Sequence, residues 1–289
     1  MDNIKRKRCR RRNLSESDEG VATTVGTIMA LLVFLSLLSL ITQQYIPVWM
    51  EDKEAYHVDD VMGQFTQIKG TVDTLVMNQY EDYSMYNTVT LGSEGVPMFA
   101  SRSMGVIRLL PDESGMSINF NESDGSTRNF EGTGSLSLEA RNRYFEQQTI
   151  VFENGAILLQ QEDDSIIRAP PQLSIEEEDG SYSINIHVID IQGEETRLGG
   201  SRNIGVVTEL WGTSRTSYSN TEDVTIEIDT ENIGGWRRWL VRETDLEEGE
   251  DEDDGKLIID EDNGKLRLDI GDAHSISLIY STVNLQIST

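Results

Sequence analysis

The pattern of hydrophobic and polar positions changes twice along this chain, and the changes separate three regions. The first region, Val21–Ile41, contains no charged residue, and the charge-free stretch continues to Met50. A helix of this length rises about 30 Å at ~1.5 Å per residue, which matches the hydrocarbon core of a bilayer. Buried helices of soluble proteins seldom stay apolar on all sides for so long, so the pattern favours a transmembrane helix over a core helix.

The second region is polar apart from one apolar stripe, whose members alternate at spacings of three and four residues. This spacing predicts an amphipathic helix with a heptad seam. Pro47 should kink or restart the helix near Tyr45, between the first two regions. We expect the seam to pack on the chain's own β domain or on a neighbouring subunit. Its members are Val58, Val61, Phe65, Ile68, Val72 and Leu75.

In the third region, from about Thr88, short runs follow a period of two or are rich in β-branched residues. Turn pairs separate the runs, and Asn154-Gly155 and Asp179-Gly180 are the clearest hairpin signals. Because strand follows strand without a helical spacer, we expect an antiparallel sandwich. The predicted strands are Thr88–Leu91, Gly105–Leu110, Met116–Phe120, Gly134–Ala140, Gln148–Glu153, Gly155–Gln160, Ser165–Arg168, Leu173–Glu177, Ser181–Ile191, Gly205–Trp211, Asp223–Ile228, Lys256–Ile259, Lys265–Ile270 and Ser275–Ile287.

One segment, Asn232–Thr244, interrupts the strands with a helical pattern. Trp236, Trp239 and Leu240 share one face of that helix, so the pattern predicts a short helix lying on the sheet. A helix on the membrane surface is the alternative, because tryptophan and arginine both favour lipid headgroups.

These patterns together predict the α+β class: a long N-terminal transmembrane and amphipathic helix, followed by a mainly antiparallel β-sandwich-like domain. The predicted segments are a basic leader at 1–20, a transmembrane helix at 21–46, an amphipathic helix at 47–80 and an acidic β domain at 81–289.

Charge is distributed unevenly along the chain. Residues 1–20 hold seven Lys/Arg and four Asp/Glu, a net charge of +3, whereas the remainder holds 17 basic and 47 acidic residues, a net charge of −30. A basic segment before the first span stays in the cytoplasm, so the acidic domain should lie outside the cell. Its charge repels nucleic acid, which we exclude as a partner. Composition does not separate adaptation to salt from cation binding.

The order of segments at the N-terminus is basic tract, Gly20 and intact apolar run. This order resembles the class III signal peptide of type IV pilins, which a prepilin-type peptidase cuts on the cytoplasmic side. The resemblance implies cleavage after Gly20, with Val21 as the new N-terminus. Bacterial pilins carry a glutamate where this chain has Val25, so the archaeal branch fits better. An uncleaved signal anchor is the alternative.

A second resemblance covers residues 134–192, where Asn-x-Tyr-Phe leads to a strand ending in Phe-Glu-x-Gly-Ala, followed by Pro-Pro. This region looks like an uncharacterised archaeal family of pilin-like membrane proteins. The resemblance implies a fold and a location at the cell surface, and it implies no reaction. The matching residues are Tyr144, Phe145, Phe152, Glu153, Gly155, Ala156, Pro170 and Pro171.

Small residues form one stripe along the apolar helix. Ala22, Gly26 and Ala30 recur at four-residue spacing, which lets helices approach closely in a membrane or a bundle. We therefore predict helix packing on this stripe.

The sequence offers no recognisable catalytic site. HExxH, GxSxG, CxxC and P-loop motifs do not occur, and the only cysteine, Cys9, lies in the basic tract. His187 alternates with isoleucine and valine in a predicted strand, and we expect it at the surface or at an edge. An enzyme is therefore disfavoured.

The acidic run Asp245–Asp254 has two interpretations. It is either a solvated loop or a loose Ca²⁺ site. The second interpretation rests on Glu250, Glu252, Asp254 and Glu261, which fit positions 1, 3, 5 and 12 of an EF-hand loop. A separate motif, Asn121-Glu122-Ser123, is a glycosylation sequon on the predicted outer side.

The sequence therefore predicts a pilin-like, non-catalytic surface protein: a subunit or accessory component of a type IV pilus-like filament. Its expected partners are membrane lipid along residues 21–46, a prepilin-type peptidase and other pilin-like subunits. The alternative is a single-pass, membrane-tethered binding protein that does not polymerise. Both place the N-terminus in the cytoplasm and the C-terminal domain outside.

Overall fold

A computed structural model of the chain divides it into two compact units, Met1–Trp49 and Met50–Thr289. The residues that the structure describes are 15–81, 83–162, 164–178, 180–244, 247–249, 256–260 and 264–288.

The first described residues are helical. Helix α1 spans Ser15–Leu40, a π-helical turn spans Ile41–Tyr45, and helix α2 spans Ile46–Asn78. The N–H of Ile46 donates to the carbonyl of Ile41, five residues back, one residue before Pro47. Proline has no N–H to donate and its ring crowds the preceding turn, so the regular helical ladder is broken at this point. The predicted change near Tyr45 takes the form of a π-helical turn inside a helix that runs on through Pro47, and neither a kink nor a restart is observed among the described residues.

Among the described residues, one helical stretch is long and apolar enough to cross a membrane, and it lies in Gly20–Asn78. The side chains of Val21–Leu37 are all exposed. The chain is therefore consistent with single-pass anchoring through its N-terminal helix.

Thirteen strands are present in the described parts of the chain. Their bounds are β1 Ser84–Thr90, β2 Met104–Asn121, β3 Thr127–Arg141, β4 Gln148–Glu153, β5 Ala156–Gln161, β6 Asp164–Ala169, β7 Leu173–Glu178, β8 Ser181–Gln192, β9 Thr196–Gly200, β10 Asn203–Asp229, β11 Glu247–Glu248, β12 Lys256–Asp260 and β13 Lys265–Ser288. Strand β9 contains Gly199-Gly200, although a Gly-Gly pair is typical of a turn.

The described strands join into one open sheet in the order β11-β12-β13-β10-β2-β3-β4-β5-β6. The remaining strands lie off this path: β1 pairs with β10, β8 with β13, β9 with β2, and β7 with β8. The pairs are antiparallel except for β8–β13 and β11–β12, which are parallel. The predicted α+β class is confirmed, with a mostly antiparallel sheet, but the sandwich is not confirmed because the strands share one hydrogen-bonded sheet.

Three strands are much longer than the sequence predicted. β2, β10 and β13 contain 18, 27 and 24 residues. Each joins two runs that were predicted as separate strands. In β2 the residues between the two runs form a bulge between Leu110 and Gly115, where Ser114 has a φ of 58°. A bulge bends a strand without ending it, so these strands contribute to two different cores.

The first core lies between α2 and one face of the sheet. All six seam residues of α2 are buried in it, together with residues such as Leu136, Ile150 and Phe152. The prediction that the seam packs on the β domain is confirmed.

The second core contains the alternate residues of the same strands, such as Val151 and Leu158, and it also contains helix α3, Ile233–Glu243. Trp236 and Leu240 are fully buried, and Trp239 is nearly so. The predicted short helix on the sheet is confirmed, and the burial of its tryptophans argues against the membrane-surface alternative.

Candidate functional site

A polar cavity of about 590 Å³ opens on the face of β2, β3 and β4 that is turned away from α2. Strand alternation decides its lining: Leu136 and Leu138 point into the first core, whereas Ser135 and Ser137 line the cavity. The segment between β10 and α3 supplies another wall, which consists of Thr230, Glu231 and Asn232. The volume lies within the roughly 300–1,000 Å³ of small-molecule sites.

Glu153 lies at the buried base of this cavity, and 1% of its surface is exposed. It is the last residue of β4. The Asn154-Gly155 turn that follows has φ values of 49° and 73°, and positive φ at both positions is what a tight two-residue hairpin requires. The predicted hairpin is confirmed by the pairing of Glu153 with Ala156.

Four neutral groups hydrogen-bond to the Glu153 carboxyl. Its Oε1 accepts bonds from Thr230 Oγ1 at 2.5 Å, Trp236 Nε1 at 2.9 Å and Asn232 Nδ2 at 3.3 Å. Its Oε2 accepts one bond, from Ser114 Oγ at 2.9 Å. Burial raises the pKa of Glu153, and the bonds from these four side chains oppose that shift.

Hydroxyl groups line the cavity around this carboxyl. Ser135 lies directly opposite Glu153 in the β3–β4 ladder and is 5% exposed. Its hydroxyl opens into the cavity, and among the described residues it has no hydrogen-bond partner. The other hydroxyl residues of the lining are Ser114, Ser117, Thr133, Ser137, Thr149 and Thr230.

The charged residues of the lining are mostly acidic. Arg108 and Lys265 are its basic members; Arg108 is paired with Glu139 at 2.8 Å, and Lys265 lies 4.0 Å from Asp229. The cavity therefore has an excess of negative charge. The acidic members, besides Glu153, are Asp112, Glu113, Glu131, Glu227, Asp229 and Glu231.

A second buried carboxylate, Glu54, connects α2 to the β domain. It is fully buried, and it accepts backbone N–H bonds of 2.8–3.1 Å from Arg143, Tyr144 and Phe145. Three consecutive amides directed at one anion form an anion-binding nest. The Tyr144-Phe145 pair of the archaeal resemblance is thus part of the loop that holds this helix.

His57 lies one turn further along α2, and its Nε2 is 2.8 Å from the carbonyl of Thr90. Burial lowers the pKa of His57, against the opposing effects of the Thr90 carbonyl, Asp60 and Glu54. Glu54 and His57 are structural contacts between α2 and the β domain, on the opposite face of the sheet from the cavity.

The prediction for His187 is wrong, because it is buried and its Nε2 lies 2.5 Å from Ser281 Oγ. Strand β8 runs between β7 and β13, so His187 is not at an edge. Burial lowers its pKa to about 4, and Asp73 and Lys69 of α2 lie close enough to influence it. Strand alternation puts His187 on the face opposite to Ile186 and Val188, but it does not show that α2 covers the face on which His187 lies.

The residues predicted for processing and helix packing all lie on α1. Gly20, Val21, Ala22, Gly26 and Ala30 are exposed. A Cβ atom added at Gly20 or Gly26 would meet no other atom within 4 Å. The stripe is therefore accessible, and both predictions stay open.

The predicted cation ligands Glu250, Glu252, Asp254 and Glu261 lie outside the described residues. Within the described ranges, no group of three or more His, Cys, Asp or Glu is arranged to hold a metal ion.

Asn121, the sequon residue, ends β2 and is partly exposed. Its amide donates to Asp223 at 2.9 Å and accepts from Thr127 at 2.8 Å. Glycosylation would attach the glycan to Nδ2, the atom that donates to Asp223.

Sequence reasoning identified Glu153 only through the family resemblance, and it missed Ser135 and Glu54. One signal was available for Glu54, which lies four residues before Val58 and hence on the seam side of α2. A charged residue at a seam position indicates a buried polar partner. Ser135 carried no signal, because a serine in a strand is as common on a solvated face.

A family model described as a family of unknown function, DUF7289, matches residues 108–273, more than half of the chain. No curated protein and no solved structure matches the chain. The matched region contains the cavity, Glu153 and α3, and it begins after α1 and α2.

Proposed function

The chain belongs to the DUF7289 family of unknown function, and on that premise we propose that it is a pilin-like surface protein, a subunit or accessory component of a type IV pilus-like filament. The proposal includes archaeal origin, cleavage after Gly20, an extracellular β domain and sandwich-like packing of that domain.

One observation carries this proposal: an uncovered apolar helix continues in sequence into a helix that is buried on the β domain. Val21–Leu37 expose their apolar side chains, whereas Val58–Leu75 bury theirs. Exposed apolar surface of this extent must be covered by lipid or by other protein. In a filament, the membrane covers this helix before assembly and neighbouring copies cover it afterwards.

The small-residue stripe supports the filament over a simple anchor. An anchor needs only an apolar surface, whereas close helix packing needs small residues on one side. Ala22, Gly26 and Ala30 provide that side, and they are exposed.

N-terminal sequencing of the native protein tests the processing step. We expect the mature chain to begin at Val21 and the Gly20→Val variant to keep its leader. A native protein that retains the basic tract would contradict the filament proposal, because the leader would then stay attached to the span.

Gly26→Leu tests the assembly step. The substitution adds apolar surface without a clash within the chain, so membrane insertion should persist while filament formation is lost. Val25→Leu is the control, because it also introduces a leucine into α1 but at a position off the stripe. Electron microscopy of sheared cell-surface material and membrane fractionation measure the two outcomes. Normal filaments from Gly26→Leu would show that the stripe is not an interface.

The second candidate function is a membrane-tethered binding protein, and the cavity at Glu153 is the observation that favours it. A structural subunit has no need of a 590 Å³ polar cavity. The two functions are compatible, since a minor subunit could carry a ligand site.

A further inference from the structure

The buried carboxyl of Glu153 has neutral hydrogen-bond partners among the described residues, and its four bonds are shared unevenly between its two oxygens. Each carboxylate oxygen has two lone pairs, and Oε1 accepts three bonds while Oε2 accepts one. All four donors are uncharged side chains. A buried carboxylate is costly unless a positive charge lies beside it, so the open side of Oε2 is suited to a cation.

The hydroxyl oxygen of Ser135 is a second hydrogen-bond acceptor in the cavity beside Glu153, and no described residue donates to it. Ser135 and Glu153 are direct cross-strand partners, and such pairs have Cβ atoms about 4.5–5.5 Å apart. Ser135 is more than nine-tenths buried, faces the cavity and makes no side-chain hydrogen bond in the described structure. One donor group between the two side chains would satisfy both.

The charge of the lining selects the kind of donor. Six further carboxylates surround the cavity, against two basic side chains that already lie near carboxylates. The described residues offer no cluster of three metal-ligating side chains. The cavity therefore suits an organic cation rather than a metal ion, and an ammonium group has the three donors that such a site can use.

We propose that the cavity binds a small organic amine, whose ammonium group donates to Glu153 Oε2 and Ser135 Oγ while the surrounding carboxylates hold the remainder of the ligand. This inference specifies the ligand of the second candidate function and is independent of Gly20 and Gly26. Failure of the amine test therefore leaves the filament proposal intact. Failure of the Gly20 or Gly26 test likewise leaves the amine site intact.

The test measures binding of 1,5-diaminopentane to the full-length protein in detergent micelles by isothermal titration calorimetry at about 0.15 M NaCl. We expect saturable binding of one diamine per chain, and no binding of the uncharged analogue 1,5-pentanediol. Equal binding of diol and diamine, or no saturable binding of the diamine, would overturn the proposal. A capped lysine forms the second arm. If it binds and the diamine does not, the site belongs to a lysine side chain of another protein, and the small-ligand assignment is wrong.

Three variants locate the site. Glu153→Gln keeps the acceptor that Thr230, Asn232 and Trp236 use but removes the charge, and it should weaken diamine binding tenfold or more. Ser135→Ala, which should fold normally, should weaken it about threefold to tenfold.

Glu194→Gln removes one exposed carboxylate away from the cavity, and it should change affinity by less than about twofold, since screened surface charges interact weakly. If Ser135→Ala binds like the native chain, or if all three variants weaken binding equally, the diamine is held by general electrostatics and the proposal fails.

Discussion

The two halves of the N-terminal helical segment are both regular helices, yet their side chains meet opposite surroundings. The more apolar half, Val21–Leu37, is exposed throughout. The less apolar half buries the seam residues between Val58 and Leu75 against the β domain. Docking onto a domain thus depends on the arrangement of apolar residues in one stripe and not on their total number.

Polar side chains differ between the halves in the same way. In α1, hydroxyl groups bond to their own helix, as Thr24 does to the carbonyl of Gly20 and Ser36 to that of Leu32. In α2, Thr66 and Thr74 bond to their own helix as well. Glu54 and His57, however, bond to the backbone of the β domain. The first arrangement suits lipid, where a helix must satisfy its own polar groups, and the second ties a helix to one partner.

The largest expected effect comes from a charge in the seam. Phe65 is fully buried, so Phe65→Asp should destabilise the β domain by about 5 kcal/mol, the scale of losing a buried aromatic and burying an unpaired charge. Denaturant unfolding of the full chain in micelles, followed by circular dichroism, measures the change.

Phe34→Asp is the matched control in the exposed half, where Phe34 is 61% exposed. It should leave the unfolding free energy of the β domain unchanged and should impair membrane insertion, because aspartate at the centre of a span costs about 3 kcal/mol. Equal destabilisation by both variants would refute the contrast between the halves.

The next effect concerns Glu54. Glu54→Ala removes the buried acceptor of three backbone N–H groups at residues 143–145 and should cost about 3–4 kcal/mol, because hydrogen bonds to a charged group are lost. Glu51→Ala, one turn earlier at an exposed position, should cost less than about 0.5 kcal/mol. The same unfolding measurement compares them, and a Glu54→Ala protein as stable as Glu51→Ala would show that the nest does not hold the helix.

The third effect is a pH dependence from His187 beneath α2. Burial lowers the pKa of His187 to about 4 in the folded state, against about 6.5 in the unfolded chain. Its contribution to stability is therefore fully present above pH 6.5 and is lost as the pH falls from 6.5 towards 4, by about 3 kcal/mol in all.

His187→Gln should remove this part of the acid destabilisation. Unfolding free energies at pH 7.5 and 4.5 provide the measurement. His274→Gln, at an exposed position of β13, is the control and should keep the native pH profile. A His187→Gln profile parallel to the native one would mean that His187 is not protonated on unfolding in this range.

The smallest effect compares two exposed glycines. Gly70 of α2 has open space around the site of a Cβ, so Gly70→Ala should stabilise the β domain by roughly 0.5–1 kcal/mol through a better helix propensity. Gly26→Ala makes the same change in α1 and should not alter the unfolding of the β domain. Stabilisation by both would indicate that the two halves unfold together.

Local patterns predicted the elements of this chain well, but not how the strands connect. The runs Gly105–Leu110 and Met116–Phe120 were both predicted, yet they form one strand, because Ser114 adopts a positive φ in a bulge. A turn and a bulge need the same residue types, and which one forms depends on whether a neighbouring strand continues past it. For this reason the described strands form one open sheet with two cores, and sandwich-like packing stays a proposal.

The site illustrates the same limit. Glu153 stood out in a motif, but its partners Ser114, Thr230, Asn232 and Trp236 are spread over more than a hundred positions of the sequence. The burial of Glu54 and His187 likewise arises from contacts with distant segments. Periodicity shows which residues share a face, and it does not show what covers that face.

The sequence by itself determined the length and apolarity of the span, the seam of α2, the hairpin at Asn154-Gly155 and helix α3. These features depend on neighbours within a few positions, where side-chain period and backbone preference decide the outcome. Only the tertiary structure decided the strand order, the bulges, the burial of Glu54, His187 and Glu153, and the cavity beside Ser135. Each of these arises where distant segments meet, because desolvation and hydrogen bonding depend on which groups lie together in space.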